Sequence, residues 1–453
     1  MDPRPYFLPG IEPGGFRDLS HGADDSSVLL RLPVITPSLL TEAIEHIVES
    51  RNACLSALPL DRIVDAIDTA VSRWLDPRYH LRRIAEELLP AITGYSPPMI
   101  REGLPRLLHP FRRHGLGALL RMEFADAETF DGGTAPVLTA HILAGNMPAI
   151  GVETLVRGLL VRSACLVKSA SGDPLFPALF AQSLAEADPA VAGAIAVAWW
   201  EGGDEALETI AFRQSGAVIA YGSDAAIKGI EKRVPAGTVF IPHGHRVSIA
   251  AVAREALTVD RVEDVARRAA WDVGFFDQQG CVSPHVIYVE RGGAVAPLDL
   301  ADRLAQALGR LEERWPRGRI SAADAAAVHQ HRQTWELRRS SGQPVAMFAS
   351  PGSTAWTVLL EEDVAFEPSC LNRLVRVVAV DDLADLSWTL EPARPYLQTA
   401  GVVVPMERLG DLAPILAKAG VTRLCPLGLM QHPPATWRHD GYRPLRGLVR
   451  PSR

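Results

Sequence analysis

Short apolar runs alternate with helix-like stretches between residues 136 and 248, and this alternation constrains the fold more than any other feature of the chain. The runs predict five buried strands, VLTAHILA, ACLVK, AIAVAWW, AVIAYG and TVFIP. Helices are predicted between them, at residues 149–162, 174–187, 204–214 and 223–234. Strands and helices in this order form a parallel sheet covered on both faces. We therefore predict an α/β fold with a doubly wound domain, an arrangement that holds dinucleotides.

The rest of the chain flanks this cofactor domain. A chain of 453 residues is too long for one comfortable core, so we expect several domains. Residues 1–135 have apolar residues at helical spacing and predict a helical N-terminal region that packs on the cofactor domain, residues 136–248. Residues 249–425 start with a helix and continue with strand-like runs, which predicts a second α/β domain. We expect the polar, Pro-rich segment 426–453 to return to the cofactor domain or to an oligomer interface.

The composition excludes several classes of function. A formal net charge of −7 argues against nucleic-acid binding, because phosphate contacts need clustered Lys and Arg. No apolar stretch is long enough to cross a membrane and the N-terminus lacks a signal-peptide pattern, so we expect no membrane span and a cytoplasmic location. Five scattered cysteines without CxxC spacing predict neither disulfides nor a zinc site.

The dinucleotide fingerprint GxGxxG is missing. The first strand leads into GNMPAIG and the fourth into YGSDAAIKG, which disfavours an ordinary Rossmann dehydrogenase. Gly222 and Ser223 open a helix whose free amides would suit a pyrophosphate. A plain strand-to-helix turn explains the same two residues equally well.

Two residues are candidates for covalent chemistry. Cys281 follows a glycine in the Gln-rich turn FFDQQGC, between a predicted helix and a predicted strand. On this context alone, a nucleophile and a structural cysteine are equally good explanations. Asn146 leaves the first strand and could donate its amide to an oxyanion, although a helix cap explains it somewhat better.

Three further positions have polar side chains with several explanations. Lys168 ends the second strand, where its ammonium can reach a ribose hydroxyl or a phosphate, although most lysines at strand ends are simply solvated. His243 and His245 lie two residues apart in PHGHR without further ligands nearby, so we predict no metal site there. Asp440 precedes Gly441 and is typical of a turn residue.

Several of these segments together are similar to one known family. AGNMP, LVKSASGDP, YGS and FFDQQGCVSP, in this order and at these separations, resemble the long-chain acyl-CoA reductases (LuxC-type) that supply aldehyde to bacterial luciferase. The late segments LNRLVRVVAV and WRHDGY are similar to the same family's C-terminal region. The resemblance covers roughly residues 136–450, and FDQQGC with the following SP is its most specific part.

The resemblance implies a fold and a set of site residues. The family is a divergent branch of the aldehyde dehydrogenase superfamily, whose fold combines a cofactor domain, a catalytic domain and an oligomerisation element. It implies that Cys281 is the nucleophile and that Asn146 and the backbone amide of Cys281 stabilise the oxyanion. It also implies that Lys168 binds the adenosine ribose and that Gly222 and Ser223 lie against the pyrophosphate.

Two departures from the wider superfamily are informative. Typical aldehyde dehydrogenases have a general-base Glu in an ELGGK-like segment after the last cofactor-domain strand, where this chain has PHGHR. Without that carboxylate, hydrolysis of an acyl-enzyme should be slow. NAD-preferring members often have a Glu three residues after the strand-end Lys, where this chain has Ser171. A small neutral side chain removes repulsion from a 2′-phosphate, so we expect NADPH, with NADH left open.

The resemblance therefore predicts an NADPH-dependent reductase that converts an acyl thioester, on CoA or on a carrier protein, to the aldehyde through an acyl-Cys281 intermediate. His243 or His245 is a candidate for its proton donor. A homodimer and an acyl-transferring partner protein are also expected. The alternatives are an NAD(P)-dependent aldehyde dehydrogenase that works in the oxidative direction and a non-catalytic acyl-binding subunit.

Overall fold

The computed structural model describes residues 4–22, 27–124, 133–148 and 150–451. The chain divides into two compact units. The first unit comprises Met1–His245 and Pro434–Arg453, and the second comprises Arg246–Pro433. Within the described ranges, no helix is both long enough and apolar enough to span a bilayer.

The N-terminal part of the first unit begins with a hairpin that the sequence analysis did not predict. Strands β1 (Phe16–His21) and β2 (Val28–Pro33) pair antiparallel. In β2, buried Leu30 and Leu32 alternate with exposed Leu29 and Arg31, which is the period of a half-buried strand. Five helices follow, which confirms the predicted helical character: α1 (Pro37–Ala53), α2 (Leu60–Leu75), α3 (His80–Thr93), α4 (Pro97–Leu108) and α5 (Arg113–Phe124).

A five-stranded parallel sheet forms the core of the first unit, as the alternation predicted. The short strand β3 (Gly133–Thr134) precedes it. The sheet contains β4 (Leu138–Ile142), β5 (Ala164–Lys168), β6 (Ile195–Ala198), β7 (Ala217–Tyr221) and β8 (Val239–His243). Between the strands lie α6 (Ile150–Leu160), α7 (Phe176–Ala187), α8 (Pro189–Ala192), α9 (Glu205–Gln214) and α10 (Asp224–Glu231). The predicted helices are confirmed, except that Ala149 lies outside the described residues.

The strand order β6-β5-β4-β7-β8 determines where a ligand can bind. The chain runs outward from β4 to β6 and then returns to β7 on the other side of β4. In such sheets, ligands bind outside the carboxyl ends of the strands, next to the point where the order reverses. Alternate side chains of β4, β5 and β7 pack against α1 and α9, so the N-terminal helix α1 is part of one covering layer.

The second unit is built around a seven-stranded sheet of order β11-β12-β13-β10-β9-β14-β15, in which only the β11–β12 pair is antiparallel. Its strands are β9 (Val247–Val252), β10 (Pro284–Glu290), β11 (Ala346–Ala349), β12 (Thr357–Glu361), β13 (Leu374–Val380), β14 (Leu397–Val403) and β15 (Arg423–Pro426). Its helices are α11 (Val262–Gly274), α12 (Pro297–Arg314), α13 (Ala322–Ser340), α14 (Leu386–Thr389) and α15 (Met406–Lys418). The short, half-buried β15 was not predicted from the sequence. The last strand, β16 (Arg450–Pro451), belongs to the first unit, where it pairs antiparallel with β3.

Candidate active site

Most of the predicted site residues of the first unit lie at one edge of its sheet. Asn146 follows β4, Lys168 ends β5, Ser171 follows it, and Gly222 and Ser223 follow β7. Because all five strands are parallel, their carboxyl ends meet at the same edge. The structure thus brings these residues to the edge where doubly wound sheets bind ligands. Cys281 belongs to the second unit.

Two glycines allow the loops after β4 and β5 to touch. A Cβ atom on Gly145 would lie 2.7 Å from the Cα atom of Gly172, so a side chain at this position would force the loops apart. The loop after β4 is also held from the N-terminal helical region, because the buried Tyr95 hydroxyl donates a hydrogen bond to the Asn146 carbonyl. These contacts position Asn146, which is exposed. The sequence analysis did not identify Tyr95.

The surroundings of Lys168 suit a lysine that binds a ligand at this edge better than a solvated lysine at the end of a strand. The residue is 5% exposed, and its ammonium donates no hydrogen bond to another residue in the described part of the chain. Its Nζ atom lies 5.7 Å from the ring centroid of Trp200. Burial lowers the pKa of Lys168, partly opposed by Glu208. A buried cation with unused donors is suited to ribose hydroxyls or a phosphate of a dinucleotide.

Ser171 has two neighbours that local sequence did not indicate. The indole N–H of Trp199 donates to its Oγ atom at 3.3 Å. The guanidinium of Arg17, on strand β1 of the hairpin, lies 4.0 Å above the ring centroid of the same Trp199. The hairpin therefore brings an exposed positive charge close to the loop that contains Ser171.

Gly222 and Ser223 have structural roles in the turn before α10. The Gly222 amide donates to the His243 carbonyl at 3.1 Å, which ties the ends of β7 and β8 together. The Ser223 hydroxyl accepts a hydrogen bond from the Ala226 amide at 3.3 Å and caps the helix. The two residues thus form the plain strand-to-helix turn that the sequence analysis gave as one of two explanations for them. Contact with a pyrophosphate stays a prediction.

A cluster of buried polar groups surrounds the end of β8. The His243 Nδ1 atom and the Asp440 Oδ2 atom are 2.7 Å apart, and each side chain is 2% exposed. The His243 ring stacks on Tyr221 and lies against His439, with 4.5 and 4.1 Å between ring centroids. Asp440 does occupy a turn, at a φ of 53°, but it also pairs with His243, which the sequence analysis missed. His245, by contrast, is exposed.

Donor atoms of His243, His439 and Asp440 lie within 4.8 Å of one another, a spacing that a metal ion could bridge. The sequence hides this cluster because 197 positions separate His243 from Asp440. The one sequence feature that could have indicated this cluster was the similarity of WRHDGY to a segment of the family.

Cys281 lies in a loop between α11 and β10, as predicted, and its thiol is reduced and partly buried. The Ser248 hydroxyl donates to the Cys281 carbonyl at 2.7 Å, which helps to fix the backbone at Cys281. The preceding Gly280 fills a tight space, because a Cβ atom there would lie 3.3 Å from the Gln431 side-chain oxygen.

The turn before Cys281 has an unusual backbone. Phe276, Asp277 and Gln278 have φ values of 45°, 55° and 67°, in the left-handed region that non-glycine residues rarely occupy. Such conformations cost about 1–3 kcal/mol each and persist only where the surroundings hold them. Asp277 is held by an ion pair with Arg373, 2.8 Å from Asp277 Oδ1 to Arg373 Nη2, and by the Gly318 amide at 2.9 Å.

A second left-handed turn lies against the first. Leu371, Asn372 and Arg373 have φ values of 63°, 56° and 61°. The Gln279 side-chain amide donates to Asn372 Oδ1 at 3.2 Å. Arg373 is fully buried, and its guanidinium also pairs with Glu312 at 2.6 Å. We call residues 276–279 together with 371–373 the paired turn. It positions the loop that ends in Cys281.

The surroundings of the other half-buried or buried thiols make them poor nucleophiles. Burial raises the pKa of Cys370 and of Cys425 to about 11, and it also raises the pKa of the fully buried Cys165. Near Cys281 lies the guanidinium of Arg423. Burial lowers the pKa of Arg423, and the negative charges of Cys425, Asp272 and a Cys281 thiolate oppose that lowering.

The fold is of the aldehyde dehydrogenase type. Aldehyde dehydrogenase 21 from Physcomitrella patens, solved in complex with succinate, is similar with a TM-score of 0.73 and 13% identity, covering 99% of this chain and 96% of that one. An NAD-dependent benzaldehyde dehydrogenase from Corynebacterium glutamicum is similar with a TM-score of 0.69 and 16% identity, covering 94% of each chain. At these identities the likeness shows the fold alone.

Sequence comparison then identifies the family. Residues 55–451 match the acyl-CoA reductase (LuxC) family, and the chain belongs to it. The long-chain acyl-protein thioester reductase of Aliivibrio fischeri is 26% identical over 449 residues, covering 93% of this chain and 86% of that protein. The reductase of the same name from Vibrio harveyi is 27% identical over 410 residues, covering 87% and 83%. The resemblance and fold class expected from the sequence are thereby confirmed.

Proposed function

We propose that this enzyme reduces an acyl thioester to the aldehyde through a covalent acyl-Cys281 intermediate, with hydride from NADPH. The observation that carries the proposal is the FFDQQGC loop. It presents a reduced, partly buried thiol near the Arg423 guanidinium, in an aldehyde dehydrogenase-type fold and in a chain of the acyl-CoA reductase family. The curated relatives are named acyl-protein thioester reductases, which supports a thioester substrate.

The residues take the following roles in the proposed reaction. The Cys281 thiolate attacks the thioester carbonyl, and the carrier thiol leaves. The Asn146 amide and the backbone amide of Cys281 donate hydrogen bonds to the oxyanion. When bound, the nicotinamide supplies the hydride that reduces the acyl group on Cys281. The resulting thiohemiacetal on Cys281 collapses, which releases the aldehyde and regenerates the thiolate.

The end of β8 supports reduction over acid formation. The segment PHGHR contains no carboxylate. Asp440 lies beside it but is paired with His243. The exposed carboxylate of Asp224 accepts the backbone N–H of His245 at 3.0 Å. Since the segment itself supplies no general-base carboxylate, an acyl-Cys281 thioester should persist long enough for hydride transfer. Of the two histidines considered as proton carriers, buried His243 is supported by this pairing, whereas His245 is exposed.

Preference for NADPH is supported by charge at the β5 edge. Lys168 supplies a buried ammonium for the adenosine ribose. Ser171 adds no negative charge, and Arg17 is linked to Ser171 through Trp199. A 2′-phosphate carries negative charge and is favoured by nearby guanidinium groups. With Ser171 in place of a carboxylate, these residues suit the 2′-phosphate of NADPH.

The remaining proposals concern organisation and partners. We assign cofactor binding to residues 136–248 and the covalent chemistry to residues 249–425. The acyl group arrives on CoA or on a carrier protein, and an acyl-transferring protein is its natural supplier. A cytoplasmic homodimer is the simplest assembly consistent with the resemblance.

The proposed function is tested by steady-state kinetics with a panel of acyl-CoA thioesters, following NADPH oxidation and release of free thiol. The native enzyme and Cys425→Ala should both consume NADPH and release CoA, whereas Cys281→Ala should do neither. Cys425 is a matched control because it is also half-buried.

Other outcomes would support the alternatives. Steady acid production from aldehyde without added CoA would indicate an oxidative dehydrogenase. Failure of NADPH and NADH to bind in calorimetry would indicate a non-catalytic acyl-binding subunit.

A further inference from the structure

Ser248 connects two strands of the second unit to the backbone of Cys281. It is the second residue of β9 and is fully buried. Its hydroxyl donates to the Cys281 carbonyl at 2.7 Å and accepts from the Thr399 amide of β14 at 3.1 Å. A serine hydroxyl has a single proton to donate, so in this arrangement that proton is used for Cys281.

The strand pairing explains why a side chain takes this place. The register between β9 and β14 shifts between Leu397 and Ala400. At this irregularity the Thr399 amide donates to Ser248 Oγ. A buried amide requires an acceptor, so the sheet itself holds the Ser248 hydroxyl in position.

Cys281 occupies the second position of a tight turn. The Ser283 amide donates to the Gly280 carbonyl at 2.9 Å, and neither Cys281 nor Val282 has a positive φ. A hydrogen-bonded turn with these φ values is of type I, whose two central amides point to the same side, as at the start of a helix. In a trans peptide the carbonyl and the amide point in opposite directions. Because Ser248 holds the Cys281 carbonyl, it also sets the direction of the Val282 amide.

The Val282 amide donates to no other residue in the part of the chain that the structure describes. Val282 itself is only 7% exposed. Amides at such buried positions are paired in almost all proteins. This amide is therefore available to an oxygen of the substrate.

The other end of the turn is held from the last segment of the second unit. The Gln431 side-chain amide donates to Ser283 Oγ at 2.8 Å and to the Asp272 carbonyl at 2.6 Å. The Asp272 carboxylate in turn accepts from the Gly428 amide and, at 3.2 Å, from the Met430 amide. The turn is thus anchored at both ends by buried side chains, and Ser248 is the anchor that acts on Cys281 itself.

We propose that Ser248 is a positioning residue for acyl transfer. It holds the Cys281–Val282 peptide so that the Val282 amide, next to the Cys281 amide, donates to the acyl oxygen on Cys281. This inference rests on the proposed function and adds to it a second backbone donor and the residue that orients this donor.

The acyl-transfer step shows where such a donor acts. The Cys281 thiolate forms a bond to the carbonyl carbon of the thioester, and negative charge develops on the carbonyl oxygen. The bond to the carrier sulfur then breaks, and the carrier thiolate takes a proton from solvent. Amides that already point at the oxygen stabilise its charge without reorganisation.

Ser248→Ala tests the inference, because it removes the hydroxyl that holds the Cys281 carbonyl. Rapid quench and intact mass spectrometry give the rate at which an acyl-CoA acylates Cys281 without nicotinamide, over a range of acyl-CoA concentrations. We expect the maximal rate to fall about 10- to 100-fold, which is the size of effect that a displaced donor produces. The half-saturating concentration should stay native, because the fully buried Ser248 does not contact the substrate.

Alkylation by iodoacetamide separates positioning from a structural role. Alkylation of Cys281 forms no oxyanion, so its rate in Ser248→Ala should stay native while acylation slows. Ser350→Ala is the matched control, because Ser350 is also buried, accepts from the Trp356 amide at 3.3 Å and donates to the Ser353 carbonyl at 2.9 Å. This variant should acylate and alkylate at native rates.

Infrared difference spectroscopy adds a measurement on the native enzyme, which does not depend on how well a variant folds. With a ¹³C=O-labelled acyl group on Cys281, the thioester band should lie at lower wavenumber than in the denatured acyl-enzyme, because oriented donors weaken the C=O bond. In Ser248→Ala the band should move towards its position in the denatured acyl-enzyme.

Three results would overturn the inference. They are a native acylation rate in Ser248→Ala, alkylation that slows in parallel with acylation, and a native acyl-enzyme whose infrared band matches that of the denatured one. A native enzyme that forms no acyl-Cys281 would refute the proposed function, and this inference would fall with it. Normal acylation of the native enzyme and of Ser248→Ala would refute the inference alone.

Discussion

At the scale of single residues, the sequence indicated candidates that can be recognised from their neighbours in the chain. It missed residues whose importance depends on contacts with distant positions. Cys281 was an even candidate from its glycine and polar neighbours, and the resemblance of FFDQQGC to a known family singled it out. Asp440 could not, because its turn conformation is visible locally whereas its partner His243 is 197 positions away. Arg17 was missed for the same reason, since only the fold brings it over Trp199.

Cofactor preference is a prediction at this scale. Ser171→Glu should weaken NADPH binding at least tenfold, because a carboxylate repels the 2′-phosphate, and it should affect NADH binding much less. Arg17→Ala should also weaken NADPH binding, by about three- to tenfold for one exposed guanidinium contact. Dissociation constants for both nucleotides, from quenching of tryptophan fluorescence, measure these effects.

Arg31→Ala is the matched control, because Arg31 lies on the same hairpin with its guanidinium 5.0 Å from the Phe16 ring centroid. Equal weakening of NADPH and NADH by Ser171→Glu would contradict the assignment of Ser171. A similar loss in Arg31→Ala would show that the hairpin fold, rather than Arg17, matters.

At the scale of elements, strands could be predicted more readily where they are more deeply buried. Strands β4 to β7 are buried along their whole length, and their apolar runs are unambiguous. Strand β15 has four half-buried or exposed residues, and β1 is mostly exposed, so neither produces a strong pattern. The paired turn could not be predicted either. Left-handed backbone in Phe276 to Gln278 results from tertiary contacts and not from glycine.

The paired turn gives a prediction at this scale. Arg373→Met leaves the Asp277 and Glu312 carboxylates without their buried partner, which should destabilise the enzyme by about 3–5 kcal/mol. It should also change the rate at which iodoacetamide alkylates Cys281 under native conditions, because the loop loses its support. Urea unfolding and peptide mass spectrometry measure the two effects.

The control is Arg376→Met, which removes another buried guanidinium, paired with Glu361 on the same sheet. It should reduce stability and leave Cys281 alkylation at the native rate. If both variants alter alkylation equally, the paired turn has no special role in presenting the thiol.

At the scale of the whole molecule, the sequence predicted the class of fold and not how distant segments join. The alternation of strands and helices predicted the cofactor sheet, and the fold similarity to aldehyde dehydrogenases confirms the class. Grouping of residues 434–453 with the first unit depends on long-range contacts such as Asp440 with His243. Hydrophobic periodicity is a local property and contains no record of such contacts.

The central claim is that Cys281 carries the acyl group. Its most direct test is mass spectrometry of the intact enzyme after mixing with an acyl-CoA in the absence of nicotinamide nucleotide, followed by peptide mapping. The account predicts one added acyl group on the peptide that contains Cys281, its loss on addition of NADPH with formation of aldehyde, and no labelling of Cys281→Ala. Acylation of another cysteine such as Cys425, or aldehyde formation by Cys281→Ala, would contradict it.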